Sequence, residues 1–161
     1  MVAKNKNDKR KIYTIGFAGH SAEEFFELLR RNRIKRVVDI RLRNTNQIAG
    51  FSKKDDLAFF LKELLNCEYY HFPFLAPTDQ ILDDHRNGEP WSEYVSKFLP
   101  LMRKRKILDK IDIDFLTEER ASLLCSERTP EECHRRLVAE MMKEKWPDLT
   151  IVHLIDLNRK F

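Results

Sequence analysis

The chain has 161 residues, 42% of them apolar and 11% aromatic, with four glycines and six prolines. That composition excludes wholesale disorder and collagen-like or linker sequence, and the length favours one domain with a core of its own. Thirty basic against twenty-six acidic residues give a net charge of +4, but Lys4, Lys6, Lys9, Arg10 and Lys11 against Asp8 supply all of it. The body is therefore neutral, and the basic pI does not by itself point to nucleic acid.

Residues 1–10 read as a disordered basic tail and 11–161 as a single α/β domain. Lys11–Gly16 reads as a strand, with Ile12, Tyr13 and Ile15 as its apolar members. A turn with Gly19 and His20 follows. Ser21 and Glu24 then have the spacing of a capping box, and the helix they open turns Phe25, Leu28 and Leu29 to one face. Arg36-Val-Val-Asp-Ile40 is a short apolar strand. Strand, helix and strand within about thirty residues make a βαβ unit with parallel strands.

Residues 41–51 read as loop. Ser52 is the expected cap of a second helix carrying Leu57, Phe60, Leu61 and Leu64, and a third strand is expected over 68–72. The stretch 73–90 is irregular, with a short helix near 79–86. Pro90 or Trp91 opens a helix that Pro100 should end or kink. A further helix is expected within 101–120. Ala121–Ser126 is a strand. Thr129 and Glu132 form a second capping-box pattern with Pro130 at the first helical position, which predicts a helix from there to about Lys145. A last strand covers 150–155. This order predicts an open, mainly parallel sheet with helices on both faces.

In such sheets ligands bind beyond the C-terminal ends of the strands. There the sequence places His20 after the first strand, Asp39 and Arg41 at the second, and Cys125 and Glu127 after the strand that precedes Cys133, His134 and Arg135. Guanidinium groups match phosphate and carboxylate bidentately, so Arg41 and Arg135, with His20, are candidate anion binders. Asp39 and Glu127 are candidate bases or metal ligands. His134 is a candidate proton carrier, because imidazole changes charge near neutral pH. Cys133 is a candidate metal ligand, although its register with Leu137 and Met141 equally suits a packing cysteine. Cys125 ends an apolar strand and has the same packing reading. It also sits where a phosphatase-type anion loop would begin, but the sixth residue on is Glu131 rather than arginine and the loop lacks glycine. Cys67 reads as core.

Four stretches resemble a known family: Tyr13-Thr-Ile-Gly16 with Gly19-His20-Ser21 and Glu24-Phe25; Val38-Asp39-Ile40-Arg41; Gly50-Phe51-Ser52-Lys53; and Leu123-Leu124-Cys125-Ser126-Glu127 with Pro130 and Cys133-His134-Arg135. The chain resembles the domain-of-unknown-function family numbered four hundred and eighty-eight over about residues 12–155. Family members often carry a proline soon after the Asp-x-Arg, where Asn44–Asn46 stand here. The resemblance implies the same strand-end rim and carries no established activity with it.

The reading is an α/β protein with an anion- or metal-binding rim, a hydrolase or phosphoryl-processing enzyme acting on a small anionic or phosphate-containing substrate, with a divalent metal as candidate cofactor. The alternative is a non-catalytic nucleic-acid-binding module using the tail and two basic clusters, residues 30–36 and 103–106. A third reading makes the polar motif a buried network that holds the strand ends together. Three cysteines without disulfide spacing, no apolar run long enough to span a bilayer and no signal-like N-terminus predict a cytoplasmic protein without membrane contact.

Overall fold

The computed structural model describes residues 9–45 and 50–156. Five strands form the sheet: β1 (Lys11–Gly16), β2 (Arg36–Asp39), β3 (Glu68–His71), β4 (Ala121–Cys125) and β5 (Thr150–Leu154). All are parallel, in the order β3-β2-β4-β1-β5. The expected α/β architecture is present, and every described pairing in the sheet is parallel. The first βαβ unit is a crossover: β4 lies between β1 and β2, so those two strands share the sheet without pairing.

Alternation along the strands sorts the core into two layers. Tyr13, Ile15, Val37 and Leu124 face α1 (Ala22–Arg31) and α2 (Lys54–Leu65) through Phe25, Leu29, Leu57 and Leu61. Ile12, Val38 and Leu123 face the opposite layer. That layer holds α3 (Asp79–Arg86), α4 (Trp91–Lys104), α5 (Ile107–Lys110), α6 (Ile113–Glu118) and α7 (His134–Lys145), which contribute Phe98, Met102, Leu116 and Val138. The helices after β1 and β4 thus leave on opposite faces. Between these two neighbouring strands, at Gly16 and Cys125, the sheet has its topological switch point, the usual place for a ligand crevice.

Four local expectations are corrected. Ser21 and Glu24 do form a reciprocal capping box, but Ser52 does not cap α2. It is buried in a 3-10 turn (Gly50–Ser52), and Lys53 takes the cap position without a side-chain bond. Thr129 and Glu132 open no helix. α7 starts four residues later than expected, at His134 after Cys133, because the Arg136 guanidinium draws the Pro130 and Glu131 carbonyls into a turn. Pro100 does not end α4, which runs on to Lys104. Arg10, expected in the tail, accepts from the Thr150 N–H through its carbonyl and reaches Asp114, so it belongs to the fold; the rest of the expected tail, residues 1–8, lies outside the described residues.

Pro100 is exposed and leaves one helical carbonyl without its donor. Replacing it with alanine should raise stability by about 2 kcal/mol, the helix-propensity gain of ~3 kcal/mol less the loss of proline's restraint on the unfolded chain. Urea unfolding of Pro100→Ala checks this; a lower midpoint would show that the ring is needed where it stands.

Candidate functional site

The site is built on the ends of β2 and β4 and the start of α7. Asp39 is fully buried, and its carboxylate accepts five hydrogen bonds. Oδ1 takes the Arg41 backbone N–H at 3.0 Å and Arg41 Nε at 2.9 Å. Oδ2 takes Arg41 Nη2 at 2.8 Å, the Tyr69 hydroxyl at 2.5 Å and Asn44 Nδ2 at 3.3 Å. Burial works to raise the Asp39 pKa, but the Arg41 and Tyr69 bonds overcome it and hold the carboxyl below its usual value. With its lone pairs so engaged, Asp39 positions Arg41 rather than acting as a base.

Arg41 is 2% exposed. Its Nη2 also donates to the Ser52 carbonyl at 2.7 Å, which is why Ser52 is drawn inward instead of capping α2. Its Nη1 is buried and has no hydrogen-bond partner among the described residues. A buried N–H of a guanidinium left unmatched is costly, and an anionic ligand would match it.

The third component joins His134, expected from the sequence as a proton carrier, to Cys125, whose position suited packing or the start of an anion loop. Cys125 Sγ lies 3.4 Å from His134 Nδ1, and His134 Nε2 lies 2.8 Å from the Ile40 carbonyl oxygen. A carbonyl only accepts, so Nε2 carries a proton and Nδ1 faces the sulfur as its proton partner. Burial would raise the Cys125 thiol pKa. The hydrogen bond from Cys133, the charge and hydrogen bond of His134 and the Arg135 charge outweigh it, so Cys125 falls well below an ordinary thiol. Burial would likewise lower His134, and the Cys125 charge and bond raise it instead. Cys133 moves the other way: burial and the adjacent Cys125 sulfur push it up, and it keeps its proton. Both shifts favour the thiolate–imidazolium form of the pair, and it stands at the N-terminal end of a twelve-residue helix whose dipole favours an anion.

A cavity of about 110 Å³ opens over this pair. Arg41, Cys125, Cys133 and His134 line it, together with His85, Trp91 and Tyr94. Glu127 stands exposed in the same lining. The structure therefore brings Arg41, Glu127, Cys133 and His134 to one cavity and adds Cys125. Arg135 lies behind the wall, fully buried, with Nε on Thr14 Oγ1 at 3.2 Å, Nη2 on the Arg128 carbonyl at 3.1 Å and Nη1 on the Glu127 carbonyl. Its donors serve the protein's own loop, which makes it a brace and not an anion binder. Gly16 makes room for that brace, since a Cβ there would sit 1.5 Å from the Glu127 carbonyl oxygen. His20 lies outside the cavity lining. It faces Glu24 at 3.7 Å, and burial and then Arg128 lower its pKa, so it is poorly suited to hold an anion by charge.

The Cys125, Cys133 and His134 ligand atoms all lie within 4.8 Å of one another, a set that could hold a metal ion. The basic clusters are placed elsewhere. Arg36 packs its guanidinium 4.3 Å from the Phe115 ring centre, and Arg105 donates to the Phe74 and Ala76 carbonyls. Lys9, Lys11, Arg33, Lys35 and Arg120 share an open groove at the other end of the sheet with Asp114, Glu118 and Glu119. Among the described residues no helix is long and apolar enough to cross a membrane.

One family model, described as Domain of unknown function DUF488, matches residues 21–142. No curated protein and no solved structure matches the chain.

The Asp39–Arg41 pair generates a direct test. Arg41→Met removes the cation and orphans a buried carboxylate, so stability at neutral pH should fall by about 3–5 kcal/mol. The Asp39 pKa is depressed on folding, so the pair's contribution is complete above the unfolded value of 3.8 and is lost as pH falls through the lower folded value. The gap between wild type and variant should therefore narrow in acid. Urea unfolding against pH measures it; a gap that widens in acid would contradict the assignment.

Proposed function

The chain belongs to the DUF488 family, and from the geometry of its strand-end cavity we propose that it is an enzyme that attacks a small anionic substrate, a phosphoryl or acyl compound, with the Cys125 sulfur. The observation that carries this reading is the Cys125–His134–Ile40 chain of hydrogen bonds in the wall of a cavity where buried Arg41 keeps one unmatched N–H. A thiolate is the nucleophilic form of cysteine, and here its charge partner is also its proton carrier.

In this reading Arg41 binds the substrate's negative oxygen, and the Asp39 network keeps its guanidinium in place. Cys125 forms a bond from sulfur to phosphorus or carbon, and the bond to the leaving oxygen breaks. His134 Nδ1 gives its proton to that oxygen. Water then displaces the sulfur, helped by His134 now acting as a base, and Cys125 returns as a thiolate. Glu127 at the cavity wall is placed to orient that water. The Trp91 and Tyr94 rings, stacked with centroids 4.6 Å apart, exclude bulk water from one side.

A metal centre is the second reading, favoured by the close grouping of the two sulfurs with His134 Nδ1. Two thiolates and an imidazole suit zinc, and the Ile40 carbonyl would orient the imidazole from behind.

Alkylation separates the two. Reduced protein stripped with chelator should react with iodoacetamide first at Cys125, and inorganic phosphate or sulfate should slow that reaction. Arg41→Lys should weaken this protection about tenfold or more, since a point charge replaces a fork-shaped donor. Stoichiometric zinc in protein purified without a histidine tag, with Cys125 unreactive until the metal is removed, would favour the metal centre. Cys125 unreactive in the metal-free protein would overturn the nucleophile.

A further inference from the structure

Three free cysteines occupy two environments. Cys67 lies just before β3, its Sγ lies 3.6 Å from the Glu68 carbonyl oxygen, and burial pushes its pKa up to about 12. It packs in the core layer against α1 and α2. Cys125 and Cys133 instead line the same cavity, with their sulfurs within 4.8 Å of each other. The nucleophilic reading uses one of these sulfurs and leaves the other unexplained. Cys133 is buried at 2% exposure but is not part of the helix. It is the residue before α7, with extended backbone (φ −136°, ψ 135°), so its side chain can turn without unwinding a helical residue.

We propose that Cys125 and Cys133 are a redox pair that closes to a reversible intramolecular disulfide when a small hydroperoxide enters the cavity. The proposal rests on Cys125 being the reactive sulfur, as above, and assigns Cys133 as the residue that resolves its oxidised form. Cys125 attacks the terminal peroxide oxygen. A sulfur–oxygen bond forms, the oxygen–oxygen bond breaks, and the departing alkoxide or hydroxide takes the proton from His134. The hydroperoxide is reduced by two electrons and Cys125 becomes a sulfenic acid. Cys133 then attacks the Cys125 sulfur. The sulfur–sulfur bond forms, the hydroxyl leaves, and it takes the Cys133 proton as water. Two thiols and one hydroperoxide thus give one disulfide, one alcohol or water, and one further water.

The fold suits this assignment. The attacked sulfur is held in place from behind, by the Arg135 bonds to the Glu127 and Arg128 carbonyls and by the close approach of Gly16. The resolving sulfur sits on the turn before α7, which Arg136 holds through the Pro130 and Glu131 carbonyls, within 4.8 Å of the Cys125 sulfur. A cavity of about 110 Å³ admits a peroxide and excludes a bulky disulfide. The pair should respond to hydrogen peroxide and resist large aromatic disulfide reagents.

The test treats reduced full-length protein with one equivalent of hydrogen peroxide. The intact mass should fall by two hydrogens, free thiols should drop from three to one, and the mapped crosslink should join Cys125 to Cys133. Dithiothreitol should reverse all three changes. Cys133→Ser should give a Cys125 sulfenic acid that dimedone traps and that advances to the sulfinic acid under excess peroxide; Cys133→Ala checks that the result follows from the lost sulfur. Wild type that advances to the sulfinic acid as fast as Cys133→Ser, with no crosslink, would overturn the resolving role. So would a crosslink to Cys67. If Cys125 still reacts with iodoacetamide in that case, only this inference fails. If Cys125 reacts with neither reagent, the nucleophilic reading fails with it.

Discussion

The buried guanidinium of Arg135 is the constraint on which the site depends. It comes from the first turn of α7, crosses to Thr14 in β1 and holds the carbonyls of Glu127 and Arg128 after β4. Thr14, 121 residues away in sequence, is thereby fixed to the loop and the helix that follow β4. An always-charged group at 0% exposure is costly to bury unless every direction is matched, and here backbone and hydroxyl oxygens supply the matches. Gly16 lets the Glu127 carbonyl come close enough to accept. With the loop so pinned, the end of β4 and the start of α7 face each other, and Cys125 meets His134.

That meeting divides the ionisable groups by their surroundings. Cys125 and His134 stabilise each other's charges, whereas Cys133, equally buried, retains its proton. Two cysteines in one cavity therefore differ in chemistry because the His134 ring bonds to the Cys125 sulfur, while burial and that same sulfur push Cys133 up. Asp39 does for Arg41 what the Ile40 carbonyl does for His134. Each fixes the orientation of the group beyond it and takes no direct part in the cavity. One buried polar assembly thus brings together a cysteine, a histidine and an arginine from the ends of β2 and β4 and the start of α7.

Much of the frame was legible in the sequence. The Ser21/Glu24 pattern and the spacing of Phe25, Leu28 and Leu29 located α1 because local hydrogen bonds and helical periodicity decide that element. The strand-end rule located the rim. The pattern at Thr129 and Glu132 misled, because a bond made by Arg136 from within the next helix outcompetes the local cap. Ser52 misled for a similar reason: Arg41, eleven residues earlier, takes its carbonyl. The neighbourhood of Cys125 and His134 was hidden because it depends on the nine-residue return path between them. The signal that could have found it was the direct succession Cys133-His134-Arg135 after a strand ending in cysteine. Arg135 could not be told from Arg41 by type or spacing; only the accounting of its donors separates a brace from an anchor.

The central claim is that Cys125 is a thiolate under conditions where an ordinary cysteine is not. Difference ultraviolet absorbance of the thiolate, titrated from alkaline to acid pH in wild type and in Cys125→Ser, measures this directly. The account predicts that one thiolate persists in wild type well below the usual thiol pKa of about 8.5. It should be absent from Cys125→Ser, and in His134→Asn it should titrate near or above the ordinary value. Wild type in which every thiolate signal disappears at or above the ordinary value would contradict it.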